Sequence, residues 1–343
     1  MSIPTPRTTE GVLDPAWLSQ ALASVTGGAT IEHVEVVETL RTMATKIRFV
    51  ARWPGGSGAF CLKAFLDVDE MTARGGMVTI TEADFYTQVA QDVDVRVPTC
   101  VATIVDREGA QGIIIMRDLI ADGARFCTAL EPFDTSQAAA SLDQLARLHA
   151  RPAVLAAHPW VRRRIAELAK ATYITRDTLQ ELLDGPRGQG LDATTRDAAR
   201  LQRGLNAIAE HDAHLPQALV HGDCHAGNIF QDSAGPGLID WQLLQRGGWA
   251  LDVAYHIAAV LPVEVAEREE WGLLRHYLDC VRRHGGSAPD FETAQALYRE
   301  APVYGFYLWS ITRRVDPPII NAFVDRLGHS VMRHESYKLL GVA

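Results

Sequence analysis

The hydrophobic positions of this chain change period part way along it. Runs at 31–39 (Ile31, Val34, Val36, Val37), 45–53 (Ile47, Phe49, Val50, Trp53) and 59–66 (Phe60, Leu62, Phe65) are short and strand-like. Pro54-Gly55-Gly56-Ser57-Gly58 supplies turn chemistry between the last two, so an antiparallel meander is predicted. Ahead of it, 1–30 predict an arm and a short helix, with Asp14-Pro15 as cap and first turn. Residues 78–91 place Glu82, Phe85, Tyr86 and Val89 at helical spacing, and 112–116 read as a buried strand ending at Arg117-Asp118-Leu119. After Gly123 helices dominate. Thr135 or Ser136 is the expected cap of a helix carrying Leu142, Leu145, Ala146, Leu148 and His149, stopped by Arg151-Pro152. Helices are also predicted over about 159–184, about 192–212 and much of 249–340. Between them, apolar runs at 217–220 and 237–239 flank a hairpin-like turn at 233–237.

Composition narrows the class. The 343 residues are 47% hydrophobic and 22% charged, which fits a globular protein large enough for two lobes. A net charge of −9 argues against a nucleic-acid partner, whose phosphates demand clustered Lys and Arg. No apolar segment follows Met1, and the run 253–265 is broken by His256 and Glu264, so neither export nor a membrane span is expected and cytoplasm is the default. The five cysteines are odd in number and lack a C-x-x-C pair, which predicts buried thiols rather than disulfides or a zinc ribbon. Glu264, Glu267, Glu269 and Glu270 fall in one helical run and read as a solvated face, while the aromatic segment 298–309 reads as core. Oligomeric state is not legible.

The chemistry concentrates in 219–242. His221, Asp223 and His225 alternate, so on an extended chain they project to one face, and a metal-dependent hydrolase is one reading. Asn228 and Asp240 add oxygen donors that suit magnesium better than zinc. A carboxylate for a hydroxyl proton, with an Asn and a second carboxylate for the metal, is the set phosphoryl transfer needs. Lys63, inside the third strand, either faces a cleft or is a solvated edge lysine; Glu82 is an outward-facing helix residue unless Lys63 is its partner. There is no G-x-x-x-x-G-K-[ST] stretch, which excludes a P-loop kinase.

His221-Gly222-Asp223 through Asn228, followed by Ile239-Asp240-Trp241, resembles the catalytic loop and metal-binding triplet of the aminoglycoside phosphotransferase and choline kinase superfamily, relatives of the protein kinases. Lys63 falls where that family has its strand lysine, and Glu82-Ala83-Asp84-Phe85-Tyr86 resembles its helix-borne Glu with an aromatic pair. Met116-Arg117-Asp118-Leu119 is similar to its lobe hinge, Leu145-Ala146-Arg147-Leu148-His149-Ala150 to the helix before the loop, and Gly247-Gly248 with Asp252-Val253-Ala254-Tyr255 to the segment whose Asp braces the loop. The resemblance covers roughly 31–260. Asp240-Trp241-Gln242, His225-Ala226-Gly227 and 82–86 look most like the ecdysteroid-kinase-like, or CHK kinase-like, subgroup.

The resemblance implies an α+β, bilobal protein-kinase-like fold, with an N-terminal antiparallel sheet and one helix over 1–117 and a mainly helical lobe over 118–343. It implies a nucleotide, ATP with GTP left open, and magnesium. Asp223 would be the catalytic base, Lys63, Glu82, Met116 and Asp118 the nucleotide-binding residues, Asn228 and Asp240 the metal ligands, and His221, His225 and Asp252 the loop's support. The acceptor would be a small-molecule hydroxyl, and the aromatic segment with Trp271 favours an apolar alcohol or antibiotic over a polycation. One departure stands out: the hairpin 39–45 has no glycine, leaving Thr42, Ala44 and Thr45 to let amides approach phosphates. That permits a nucleotide-binding pseudokinase as a rival. The hydrolase rival leaves Lys63, Glu82 and Asn228 without roles.

Overall fold

A computed structural model describes residues 3–42, 44–171 and 173–342; Met43 of the hairpin and Thr172 of the helix expected over 159–184 lie outside the described residues. The architecture is α+β, a sheet with a helix followed by a mostly helical remainder. It divides into two units, Met1–Asp92 with Val97–Arg125 and Ile239–Leu243, and Val93–Arg96 with Phe126–Leu238 and Leu244–Ala343.

In the first unit five antiparallel strands lie in the order β1-β2-β3-β5-β4: β1 His33–Arg41, β2 Thr45–Trp53, β3 Gly56–Ala64, β4 Cys100–Asp106 and β5 Gln111–Arg117. The alternation of strand side chains sorts the residues into two faces. Ile47, Phe49, Phe60, Leu62, Ile113 and Ile115 pack with Trp17, Leu18 and Leu22 of the N-terminal helical segment. That segment includes α1, Pro15–Ala21, which Asp14 caps by accepting from the Trp17 amide at 2.8 Å, as the sequence predicts. Ile114 and Met116 point the other way and pack on Ala83 of α2, Met77–Asp84. Gly112 allows that close approach, since a Cβ there would lie 2.6 Å from the Thr79 carbonyl oxygen. The helix does not run evenly to 91; it widens into a π-helical turn at Phe85–Val89. Strand β4, absent from the sequence reading, carries no clean alternation and is recruited by pairing with β5.

The second unit opens with α3, Thr135–His149, whose cap is Asp134 rather than Thr135 or Ser136, because Gln137 returns its side chain to complete a capping box. The single helix expected over 159–184 is two, Arg164–Lys170 and Arg176–Asp184: the chain is extended at Ala171, and Thr175 caps anew by accepting from the Thr178 amide. Helix α4, Ala198–Asp212, begins later than 192 because Asp192 holds Thr195 in a turn and Asp197 caps Arg200. Two short ladders follow. Strand β6, Ala218–Val220, pairs with β9, Gln245–Gly247, and β7, Ile229–Asp232, forms a hairpin with β8, Gly235–Leu238.

The remainder is α5 Ala250–Val260, α6 Val263–Arg283, α7 Phe291–Glu300, α8 Pro302–Ile311 and α9 Pro317–His334. Helix α5 is buried on every side, as its nearly continuous apolar sequence requires. The acidic run on α6 is not a uniform solvated face: Glu270 is buried, with Arg333 at 2.7 Å and His334 at 3.1 Å. All five cysteines are free thiols. Among the described residues no helix is long and apolar enough to cross a membrane.

Candidate active site

Chemistry-bearing side chains gather in each unit. In the first, the register of the sheet sets Lys63 opposite Lys46 on β2 and Ile114 on β5, on the face that packs against α2. Glu82 on α2 meets it there: Lys63 Nζ lies 2.6 Å from Glu82 Oε2 and 2.8 Å from Asp240 Oδ1. Lys63 and Glu82 are only 2% and 1% exposed, so neither the edge-lysine nor the outward-facing-glutamate reading survives. Burial works against the Lys63 charge, but the Asp240 and Glu82 carboxylates outweigh it and raise the ammonium's pKa. Glu82 is also pushed up, first by burial and then by Asp240, against the pull of Lys63. One buried cation therefore serves two carboxylates.

The short segment carrying Asp240 is held by the indole of Trp241, stacked on Phe85 with centroids 3.7 Å apart. Asp240 itself has φ +66°, a left-handed conformation that Asp tolerates better than most residues. Its second oxygen lies 3.5 Å from Lys46, a residue the sequence reading overlooked; its place opposite Lys63 becomes visible only once the strand register is known. Met116 lies in β5 between Cys61 and Cys100. Asp118 is buried with both carboxylate oxygens taken by the Arg48 Nε–H, at 3.0 and 3.1 Å. In the glycine-free hairpin the Thr42 amide is closed on the Ala44 carbonyl at 3.2 Å.

In the second unit the loop between β6 and β7 is governed by α5. Residues 252, 255 and 256 share one helix face by their i, i+3, i+4 spacing, and each takes hold of the loop. Asp252 accepts from the His221 and Gly222 amides at 2.7 and 2.8 Å and bonds His149 Nε2 at 3.1 Å. Burial raises its pKa, but the His149 bond and the surrounding donors win, and it stays below the ordinary value. Tyr255 donates its hydroxyl to Asp223 Oδ1 at 2.8 Å, and burial lifts the phenol well above its usual pKa. His256 meets the Cys224 carbonyl through Nδ1 and Ser141 Oγ through Nε2, at 2.8 and 2.7 Å; burial lowers it to about 4. A carbonyl can only accept, so Nδ1 carries the proton and Ser141 donates to Nε2.

Asn228 closes the loop, its Nδ2 donating to the Asp223 carbonyl at 2.8 Å and to Oδ2 at 3.1 Å. With the nitrogen end of that amide engaged, the oxygen end is the one available to a cation, which suits a magnesium ligand, as does the carboxylate of Asp240. The histidines do not form the alternating, one-faced set. Gly222 turns the backbone at φ +83°, His221 is fully buried with Nδ1 accepting from the Asp223 amide at 3.2 Å, and His225 Nδ1 accepts from Gly227 at 3.1 Å. Among the described residues no three His, Cys, Asp or Glu are grouped so as to hold a metal ion. Cys224 is buried beneath the loop, its thiol 3.1 Å from the Asp252 carbonyl.

A sheet with a helix bearing a buried Lys–Glu pair, and a mostly helical unit whose loop carries Asp223 and Asn228, match a kinase-like architecture. The chain belongs to the phosphotransferase enzyme family (APH), whose profile matches residues 79–289. Its fold is similar to that of an ethanolamine kinase from Plasmodium vivax (TM-score 0.51, 12% identity, covering 91% of this chain and 86% of that one). A choline kinase from Cryptosporidium parvum Iowa II is comparable (TM-score 0.50, 10% identity, 90% and 88% covered). No curated protein matches the chain.

Proposed function

We propose that the protein is an ATP- and magnesium-dependent O-phosphotransferase that moves the γ-phosphate to a hydroxyl of a small molecule. The observation that carries the reading is the buried Lys63 ammonium held by Glu82 and Asp240 at 2.6 and 2.8 Å. Such a triad is a poor device for stability alone, because desolvation offsets the attraction. It is well suited to a cation that must hold phosphate oxygens at a fixed point.

In this reading Lys63 binds the nucleotide phosphates and Glu82 steadies it, while Met116 and Asp118 belong to the nucleotide-binding hinge, Asp118 acting through Arg48. Asn228 and Asp240 hold magnesium, which when bound neutralises charge on the phosphates. His221, His225 and Asp252 support the loop. The nucleotide-binding lobe is 1–117 and the catalytic, acceptor-binding lobe 118–343, with GTP an alternative nucleotide and the cytoplasm the place of action. Asp223 accepts the hydroxyl proton as the new oxygen–phosphorus bond forms; the bond from the γ-phosphorus to its bridging oxygen breaks, and ADP leaves.

The motifs around Asp240 and His225 favour the CHK kinase-like subgroup. The acceptor is read as an apolar alcohol, antibiotics included: Glu270, one of four acids that could have served a polycation, is instead buried against Arg333 and His334. Transfer from γ-labelled ATP across sterols, macrolides and aminoglycosides tests the proposal. Asp223→Asn is expected to lose transfer and still bind MgATP by calorimetry. Retained transfer in that variant removes Asp223 as the base. ATP binding with no transfer by the wild type favours a pseudokinase, and zinc-dependent hydrolysis without ATP favours the hydrolase.

A further inference from the structure

We propose that Tyr255, oriented by Trp309, is a positioning residue for phosphoryl transfer, one that fixes the orientation of the Asp223 carboxylate. The proposal rests on the reading of Asp223 as the base. Three distances carry it: Trp309 Nε1 to Tyr255 Oη is 2.6 Å, Tyr255 Oη to Asp223 Oδ1 is 2.8 Å, and Asn228 Nδ2 to Asp223 Oδ2 is 3.1 Å.

The direction of the chain follows from what each group can do. An indole N–H donates and never accepts, so the Tyr255 oxygen must accept from Trp309. The single phenolic proton then points at Asp223 Oδ1. Tyr255 is fully buried and Trp309 nearly so, with the Trp309 ring packed against Phe323 at 4.2 Å, so neither group has room to exchange its partner for water. Oδ1 is thereby engaged by a neutral donor that cannot turn away. Oδ2 accepts from the Asn228 amide, with His225 Nε2 at 3.7 Å, so each oxygen has a donor of its own and the carboxylate is held from both sides.

A second tyrosine is arranged on the same logic. The Gln245 amide donates to Tyr304 Oη at 2.8 Å, and Tyr304 donates to the Gly222 carbonyl at 2.8 Å, which fixes the peptide just before Asp223. The aromatic residues of α8 therefore do more than fill the core. Tyr304 and Trp309, from that one helix, set the backbone and the carboxylate of the same loop.

The test uses the full-length protein with MgATP and water as the acceptor, reading labelled phosphate release, alongside a proton–nitrogen spectrum of the tryptophan indoles. Tyr255→Phe keeps the ring and removes the hydroxyl. It is expected to lower kcat about tenfold to a hundredfold, with the KM for ATP unchanged, because one hydrogen bond to a charged group is lost. Trp309→Phe is expected to lower kcat less, and to have no further effect in the Tyr255→Phe background, since it acts through that hydroxyl. The indole resonance that Trp309→Phe deletes should shift upfield in Tyr255→Phe. Wild-type kcat in Tyr255→Phe, with Asp223→Asn inactive, overturns the positioning role and leaves the base reading intact. An active Asp223→Asn overturns the base reading instead, and this proposal with it. Additive effects of the two aromatic variants, or an unmoved indole resonance, refute the relay even if Tyr255→Phe folds poorly.

Discussion

Replacing Asp252 by alanine tests the account of the catalytic loop most directly. The carboxylate accepts from two buried amides, His221 at 2.7 Å and Gly222 at 2.8 Å, and bonds His149 Nε2 at 3.1 Å. Removal orphans both amides in a region with no solvent access, at about 1–3 kcal/mol each, or about 2–6 kcal/mol together. Lifting the desolvation of a buried carboxylate returns part of this, so the net destabilisation is set at about 3–5 kcal/mol. Asp252→Asn keeps the shape and one accepting oxygen but turns an N–H toward one of the amides, and about 1–3 kcal/mol is expected. Urea unfolding followed by tryptophan fluorescence measures both, provided the slope of the transition is unchanged. A midpoint for Asp252→Ala that corresponds to less than about 0.5 kcal/mol of destabilisation would refute the argument, because that is the range of an inconsequential surface change. The pH dependence supplies a second check. The folded pKa of Asp252 lies below its unfolded value, so its contribution is present above that unfolded value, near 3.9, and is lost as pH falls through the folded pKa.

Three further outcomes follow from the same geometry. Lys63→Ala leaves the buried Glu82 without its cation and Asp240 with Lys46 alone, and is expected to destabilise by about 3–5 kcal/mol and to abolish the calorimetric signal of MgATP; unchanged ATP affinity would remove Lys63 from the nucleotide site. Buried His256, lowered to about 4, favours folding fully above its unfolded pKa near 6.5, and that advantage declines as pH falls from there toward 4, by up to about 3 kcal/mol. His256→Gln should flatten this part of the stability profile, and an unchanged slope between those limits would show that some other group titrates. Arg48→Ala frees the Asp118 carboxylate beside the hinge and should weaken ATP binding several-fold without altering transfer once nucleotide saturates; an equal loss of kcat would count against the assignment.

Much of the candidate site was legible because its residues recur at short, fixed offsets. Asp223 and Asn228 lie on one loop, and Asp240 follows a single hairpin, so chain order alone brings the set into view. The strands β2 and β5 and the helix α2 were likewise announced by local periodicity and turn chemistry, which need no knowledge of distant partners. The long-range residues were not announced in this way. Lys46 acquires its place from a cross-strand register, His149 from helix packing, and Tyr255 and Trp309 from a hydrogen bond between helices more than fifty residues apart. The burial of Glu270 is illegible for the same reason, since a helix's own sequence does not say that Arg333 and His334 will cover it.

The sequence by itself therefore determined the change from strands to helices, the loop with its Asp and Asn, and the family resemblance, all of which depend on spacing along the chain. Only the tertiary structure decided that Lys63 is buried between two carboxylates, that Nδ1 of His221 and of His225 accepts from loop amides, and that one oxygen of Asp223 is engaged by Tyr255. The physical reason is that burial and donor direction belong to neighbourhoods assembled from remote segments. A side chain's protonation and orientation are fixed by those neighbours, and periodicity carries no record of them.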